Sequence, residues 1–245
     1  MSLTFHEGSV PVAIVGTKKL HLNPHEHEDG HARIELKGDA VFQQIPSNSE
    51  RDVLYVSGMS GSGKSWYTAA FIREYHKKHP KRPVYIFSSI DEDPCLDALK
   101  YTKRVDIKKK AFLEMELQAK DFEDSCVVFD DTDVISNKVI KKQVFAILDS
   151  ILQTGRHFKT TVIFTSHAAC NGLATKIILA EATSITIFPL TSGNKNLKYL
   201  CDGYLGLDKH QIADLKRIKG RWATFVRSWP RCILTEKTCY LLNST

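Results

Sequence analysis

The stretch of sequence that decides the fold is VLYVSGMSGSGKS, residues 53–65. Its first four residues are apolar or aromatic, and this composition predicts a short buried strand. Ser57 follows, and residues 58–65 then match the pattern G-x-x-x-x-G-K-[ST] at every fixed position. A strand, this turn and a following helix form a P-loop, in which backbone N–H groups and the positive end of the helix surround a polyphosphate. The sequence therefore predicts a nucleotide site here.

The P-loop pattern gives each of its residues a role. Lys64 is expected to reach the β- and γ-phosphates and so to act in catalysis, and the Ser65 hydroxyl is expected to bind Mg²⁺. Glycines permit the tight turn and the close approach of the backbone to the phosphates. A chance Gly/Ser turn is the alternative, but it does not account for the strand before and the helix after. The predicted nucleotide-binding positions are Gly58, Met59, Ser60, Gly61, Ser62, Gly63, Lys64, Ser65 and Trp66.

The composition is that of a folded α/β protein. With 245 residues and 42% hydrophobic content, the chain can bury one large domain, alone or with an appendage. The net charge of +6 is compatible with a polyanionic partner and equally with an ordinary basic surface. Six cysteines without C-x-x-C spacing indicate a reducing compartment rather than a disulfide framework or a zinc site. We expect no signal peptide, no transmembrane segment and no secretion.

The first 50 residues are expected to form a β-rich extension. Strand-like pieces at 10–15 and 33–44 flank a segment, 21–31, that contains four histidines and three acidic residues. Their spacing matches no standard metal site, which favours a polar loop. We predict that 1–50 pack on a P-loop ATPase domain that spans 51–245.

Beyond the P-loop, apolar periodicity predicts alternating helices and strands. Tyr67, Phe71 and Tyr75 form one apolar stripe on a helix that ends near Pro80. This alternation predicts an α/β fold with a mainly parallel central sheet flanked by helices. Further helices are predicted at 111–120, 138–152 and 172–180, and further strands at 84–87, 184–188, 222–227 and 232–242, the last turning at 236–237.

A second chemical signal is CVVFDD, residues 126–131. The continuous apolar run predicts a strand buried on both faces, and its carboxyl end is the edge where an open α/β sheet binds its ligand. In P-loop enzymes an aspartate at such a strand end supports Mg²⁺. Asp130 is predicted to take that role, which leaves Asp131 to polarise the attacking water.

A third signal joins residues 155–157, GRH, to the strand-like run 160–167, TTVIFTSH. His167 follows the strand at the ligand edge; it is a candidate catalytic residue, and the alternative is a histidine hydrogen-bonded to a neighbouring loop. Arg156 precedes the strand and is therefore expected at the opposite edge, about 20 Å from the P-loop. The alternative role for Arg156 is that of a structural arginine at a helix C-terminus.

The tetrapeptide NKNL, 194–197, lacks the Asp of the guanine motif N-K-x-D, which favours ATP over GTP.

The order of these signals, across residues 53–188, resembles the FtsK–HerA superfamily and, within it, the poxvirus-type genome-packaging ATPases of large DNA viruses. The resemblance implies a RecA/FtsK-like additional-strand fold, ATP and Mg²⁺ as cofactors, and a homo-oligomeric ring that threads double-stranded DNA. It also implies that Arg156 is the arginine finger. Two positions depart from the pattern: His167 stands where Gln or Asn is common, and Asp131 stands where many relatives carry Glu.

The sequence and the resemblance together predict an ATP-hydrolysing DNA translocase that packages a viral genome without sequence preference. It would act in the cytoplasm of an infected cell or on the virion, with capsid or virion membrane proteins as docking partners. The alternatives are a P-loop kinase of a nucleoside or small phosphoryl acceptor, for which no R-x-x-x-R lid is present, and a regulatory P-loop NTPase. Among the basic clusters 77–82, 108–110 and 216–221, we favour the third for DNA, although such clusters are more often solvated faces.

Overall fold

The computed structural model describes residues 1–242 except Glu7, Ser9, His27, Asn171 and Gly172. The side chains of residues 173, 174, 194 and 196 also lie outside the description. The predicted helix at 172–180 therefore starts on a residue that is not described.

The described residues form fourteen strands and seven α-helices. The strands are β1 (Ser2–Thr4), β2 (Val10–Val15), β3 (Lys18–Asn23), β4 (Arg33–Glu35), β5 (Gln43–Gln44), β6 (Val53–Ser57), β7 (Val84–Ser88), β8 (Thr102–Val105), β9 (Cys126–Asp130), β10 (Thr161–Ser166), β11 (Ser184–Ile187), β12 (Ala223–Val226), β13 (Cys232–Thr235) and β14 (Thr238–Leu241). The helices are α1 (Lys64–Lys78), α2 (Pro94–Asp97), α3 (Lys110–Glu114), α4 (Lys138–Thr154), α5 (Leu173–Glu181), α6 (Asn194–Gly203) and α7 (Lys209–Leu215).

Ten strands form one central sheet in the order β4-β14-β13-β12-β11-β6-β10-β9-β7-β8. The pairs from β11 to β8 are parallel, and the pairs from β12 to β4 are antiparallel. Strand β10 lies between the P-loop strand β6 and the acidic strand β9, which is the additional-strand order. The predicted α/β fold with a mainly parallel sheet and flanking helices is confirmed.

The sheet is buried on both faces because successive residues of its strands enter opposite cores. Val53 and Tyr55 of β6 contribute to one core, which also contains the apolar faces of α4, α5, α6 and α7. Leu54 and Val56 contribute to the other, which contains α1 and apolar residues of the N-terminal strands. The P-loop strand is thus held from both sides, and its carboxyl end has a fixed position.

The N-terminal strands form a separate four-stranded sheet, ordered β1-β3-β2-β5, that packs on α1. A buried hydrogen-bond network ties it to the central sheet: the Tyr67 hydroxyl bonds to Gln44 of β5, to Thr186 of β11 and to Thr224 of β12. Strand β4, however, joins the edge of the large sheet beside β14. The division into 1–50 and 51–245 stays a prediction.

Three local predictions were wrong. Residues 33–44 form two short strands in different sheets, because Gly38 adopts a left-handed backbone (φ 61°) between them. The predicted loop 21–31 starts inside β3, which continues to Asn23. The predicted helix 111–120 ends early, because Met115 is extended and a 3-10 turn follows at Ala119–Phe122. Strands β1, β3 and β8 and helix α6 were not predicted.

Among the helices of the described residues, none combines the length and the apolar character that crossing a bilayer requires.

Candidate functional site

The P-loop follows β6 and delivers α1 to the carboxyl edge of the sheet. Gly58 N–H donates to the carbonyl of Ser166, at the end of the adjacent strand β10 (3.1 Å), which fixes the start of the loop. Gly63 precedes α1 with a φ of 108°, a conformation that L side chains rarely adopt. The first turn of α1 contains no acidic residue, so its N-terminal N–H groups keep their positive potential.

Lys64 is buried at the base of this loop, with 5% of its surface exposed. Its Nζ donates to the Gly58 carbonyl (2.9 Å) and lies 3.7 Å from Oδ1 of Asp131. The Ser62 hydroxyl is buried and has no hydrogen-bond partner among the described residues. A buried ammonium, an unpaired hydroxyl and a free helix N-terminus together fit a bound polyphosphate.

Asp130 ends strand β9 and is almost completely buried. Its Oδ1 accepts a hydrogen bond from Thr165 (3.0 Å), and its Oδ2 accepts one from Ser88, at the end of β7 (3.0 Å). Burial raises the pKa of the Asp130 carboxyl, and the neighbouring charge of Asp131 raises it further. A divalent cation would stabilise the ionised form of a carboxyl group that is buried in this way. Asp130 therefore fits the predicted role of a Mg²⁺ ligand, which it would share with Ser65.

Asp131 turns away from the strand because its backbone is left-handed (φ 47°), a strained conformation that Asp tolerates better than most residues. The Thr165 hydroxyl accepts the Asp131 N–H (2.9 Å) and lies 3.2 Å from Asp131 Oδ1. This turn points the second carboxylate toward the P-loop instead of into the sheet.

His167 completes the arrangement from the end of β10. Its Nε2 lies 3.0 Å from Oδ2 of Asp131, and about a third of its side chain is exposed. The Asp131 carboxylate therefore lies between Lys64 on one side and His167 on the other. Four of the predicted catalytic and metal-binding side chains, Lys64, Asp130, Asp131 and His167, come together within one connected set of contacts.

Arg156 does not belong to this set. It lies in the turn after α4, at the amino edge of the sheet, and is exposed. Its guanidinium makes no hydrogen bond or ion pair with any described residue. It lines an open cavity of about 600 Å³ together with Arg51, Glu50 and Glu181. The capping of the α4 C-terminus is performed by Arg51, whose side chain donates to the carbonyls of residues 151, 152 and 160.

Three polar residues of this site were missed in the sequence: Ser88, Thr165 and Asp133. Thr165 connects both carboxylates, Ser88 holds Asp130, and Asp133 accepts a hydrogen bond from Ser166 (2.7 Å). Ser88 and Thr165 each stand at the carboxyl end of an apolar strand, next to predicted site residues in the sheet. That shared position is the signal that could have identified them.

Comparisons with known proteins show what the chain and its fold are similar to. The uncharacterized protein V3 of Sputnik virophage is 36% identical over 201 residues, which cover 81% of this chain and 80% of V3. The genome packaging NTPase B204 from Sulfolobus turreted icosahedral virus 2, solved in complex with ATP-gammaS, superposes with a TM-score of 0.52 and 16% identity. That match covers 77% of this chain and 98% of B204.

A second solved structure, the pCW3 conjugation coupling protein TcpA with ATPgS, has a TM-score of 0.50 and 8% identity. That match covers 93% of this chain and 76% of TcpA. No family model matches the chain. The resemblance to genome-packaging and FtsK-like ATPases is confirmed, and at these identities it is a likeness of fold.

Proposed function

Because the chain belongs to the same family as protein V3 of Sputnik virophage and has the fold of a viral genome packaging NTPase, we propose that it hydrolyses ATP to move double-stranded DNA into a capsid. The observation that carries this proposal is the placement of Asp131. Its carboxylate lies between the P-loop lysine and His167, at the edge where the fold binds nucleotide.

The chain's own residues divide the hydrolytic work. The P-loop N–H groups and Lys64 bind the β- and γ-phosphates. Asp131 accepts the proton of the attacking water, whose oxygen bonds to the γ-phosphorus as the bond to the ADP oxygen breaks. His167 orients the Asp131 carboxylate, and Thr165 holds it in its strained turn.

Mg²⁺ would be held by Ser65 and Asp130. When bound, it neutralises charge on the phosphate oxygens. The hydroxyls of Ser88 and Thr165 orient the Asp130 carboxylate for this task.

Arg156 acts on the nucleotide of a neighbouring subunit in this proposal. Strand β10 separates it from the P-loop by about 20 Å, too far for an arginine side chain. In a homo-oligomeric ring, the amino edge of one subunit would meet the nucleotide edge of the next. The free guanidinium of Arg156 and its exposure support this role.

Double-stranded DNA is the polymer that the protein is proposed to translocate, and the protein would contact its phosphates and not its bases. The net charge of +6 is compatible with this choice. Each basic cluster is, however, partly neutralised by ion pairs within the chain. In the cluster 216–221, which we favoured, Arg217 pairs with Asp214 and Lys219 pairs with Glu35. Capsid or virion membrane proteins are the proposed docking partners, and an infected cell or the virion is the proposed location.

The test compares the ATPase rate with double-stranded DNA, with nucleosides, and with neither. We expect stimulation by DNA of any sequence, and DNA binding that weakens steeply as salt rises, because binding releases counterions. Stimulation by nucleosides alone would instead identify a kinase. A rate that neither addition changes would identify a regulatory NTPase.

A further inference from the structure

The P-loop strand has two flanks in the sheet. On one flank lie β10, which is followed by His167, and β9, whose end carries Asp130 and Asp131. On the other, β11 is followed by β12, which runs antiparallel to it and pairs Ala223 with Ile187. Because of this reversal, the residues just before β12 lie at the carboxyl edge of β11, where the nucleotide binds. Arg221 is one of them.

Arg221 lies beside the first turn of α1. The carbon of its guanidinium is 5.4 Å from the centroid of the Trp66 ring. Its Nε donates to Oε1 of Glu236 (3.2 Å), while none of the hydrogen bonds among the described residues uses its Nη1 or Nη2. A Cβ atom on Gly63, the residue that precedes α1, would lie 3.7 Å from Nη1. Two unused N–H₂ groups are therefore held next to the phosphate-binding turn.

The position of Arg221 is fixed by its neighbours on both sides. Trp222 is buried and packs edge-on against Tyr67 of α1, with ring centroids 5.0 Å apart. Gly220 has a φ of 123°, and a Cβ atom there would lie 2.8 Å from Cβ of Glu236, so only glycine allows this close approach. Consecutive residues 221 and 222 thus contact consecutive residues 66 and 67 of α1. The buried Trp222 therefore fixes the backbone beside Arg221, whose side chain is 58% exposed.

We infer that Arg221 is a nucleotide-binding residue of its own subunit, which binds the α- and β-phosphates beside the P-loop. A guanidinium binds phosphate oxygens through paired N–H donors, and its two free Nη groups provide such a pair. The Trp66 ring and the Glu236 carboxylate position the guanidinium in advance. The inference rests on the proposed ATPase function and adds to it a cis arginine, distinct from Arg156.

The position of Arg221 favours contact with the α- and β-phosphates over contact with the γ-phosphate. Lys64 and Asp131 contact each other on the β9–β10 flank, where the γ-phosphate reacts in the proposed mechanism. Arg221 lies on the opposite flank, beside Trp66. ADP should therefore depend on Arg221 as strongly as a triphosphate does.

The test measures the dissociation constants of ADP and ATPγS by calorimetry in the presence of Mg²⁺. We expect Arg221→Ala to weaken both nucleotides by the same factor, about tenfold or more, because charged hydrogen bonds are lost. Arg221→Lys keeps the charge without the fork and should fall between the wild type and Arg221→Ala. Arg33→Ala is the matched control: Arg33 is an exposed arginine of β4 that pairs with Glu35, outside the basic clusters, and its variant should bind as the wild type does.

Two further variants separate the outcomes. If Arg221 served only as the structural partner of Glu236, Glu236→Ala would weaken nucleotide binding as much as Arg221→Ala does. We expect a smaller loss in Glu236→Ala, because the Trp66 ring still positions the guanidinium. Binding by Arg221→Ala equal to that of Arg33→Ala would overturn the inference. Lys64→Ala identifies which claim has failed, because unchanged binding there would also overturn the proposed function. Arg221→Lys carries the test if Arg221→Ala does not fold.

Discussion

The Asp131 carboxylate lies 3.0 Å from Nε2 of His167, so the residue that follows β10 directly contacts the residue that follows β9. In the family that the sequence resembles, the position of His167 is commonly occupied by Gln or Asn, whose side-chain amide also donates one hydrogen bond to a carboxylate. The contact explains how a histidine can occupy that position: a ring N–H replaces an amide N–H.

His167→Gln should therefore retain much of the ATPase rate, since its amide can donate to Asp131. His167→Ala removes the donor, and we expect the rate to fall about tenfold or more, with nucleotide binding little changed. Steady-state kinetics on both variants checks this. Equal losses in both would indicate a requirement for the imidazole itself.

Lys64→Ala should abolish hydrolysis and remove most triphosphate binding, because the described part of the loop contains no other cation that reaches the β/γ-phosphate position. Calorimetry with ATPγS and a phosphate-release assay measure the two effects. Lys77→Ala is the matched control at the other end of α1, where the exposed Lys77 pairs with Glu74 (2.6 Å). A Lys64→Ala protein with normal turnover would exclude the P-loop assignment.

Asp131→Asn keeps the shape of the side chain and a hydrogen-bond acceptor for its neighbours but loses the base. ATP should still bind, while hydrolysis falls by ~10² or more. Binding and single-turnover rates are measured on the same preparation. If Asp131→Asn loses binding as severely as Lys64→Ala does, the roles of Asp130 and Asp131 are exchanged.

Thr165→Val removes one hydroxyl that contacts both carboxylates and leaves the half-buried Asp131 N–H without its partner. We expect a loss of about 1–3 kcal/mol in the free energy of unfolding, together with a lower hydrolysis rate. Thr161→Val is the control: Thr161 accepts the Asp52 N–H at the opposite end of the same strand, so stability should fall without a catalytic defect. The prediction fails if both variants hydrolyse ATP equally well.

Arg156→Ala should lower the ATPase rate by ~10³ or more if its guanidinium stabilises the transition state in a neighbouring subunit. A mixture of Arg156→Ala and Asp131→Asn proteins should then recover activity, because some interfaces pair an intact Arg156 with an intact Asp131. The rate is measured over a series of mixing ratios. Inactivity at every ratio, under conditions where rings form and exchange subunits, would exclude the trans role.

The sequence alone predicted the elements in which a local pattern and tertiary burial agree. Strand β2 was predicted at its observed bounds, and α1 and the 232–242 hairpin close to theirs, since apolar periodicity and turn residues mark them. The segment 33–44 failed because it divides between two sheets, and no local pattern records which sheet a residue joins. Helix α6 was not predicted because its start, NKN, is polar and follows Gly193, which provides no side-chain cap.

The candidate site divides in the same way. The P-loop, Asp130, Asp131 and His167 follow apolar strands at recognisable spacings, and the prediction that they share one edge follows from parallel topology. Arg221 could not be assigned to the nucleotide from the sequence, because its position depends on β12 running antiparallel to β11. A parallel strand there would place the residue before it at the other edge, about 13 Å away.

The reversal of β12 also has a consequence for its far end. The connection to β13, residues 227–231, lies at the amino edge, where Ser228 lines the same cavity as Arg156 and Trp229 is 58% exposed. An environment-sensitive dye attached to the thiol of a Ser228→Cys variant would therefore report the approach of a neighbouring subunit. Because the nucleotide lies at the opposite edge, the label would leave ATP binding undisturbed, and ring assembly could be followed in solution separately from hydrolysis.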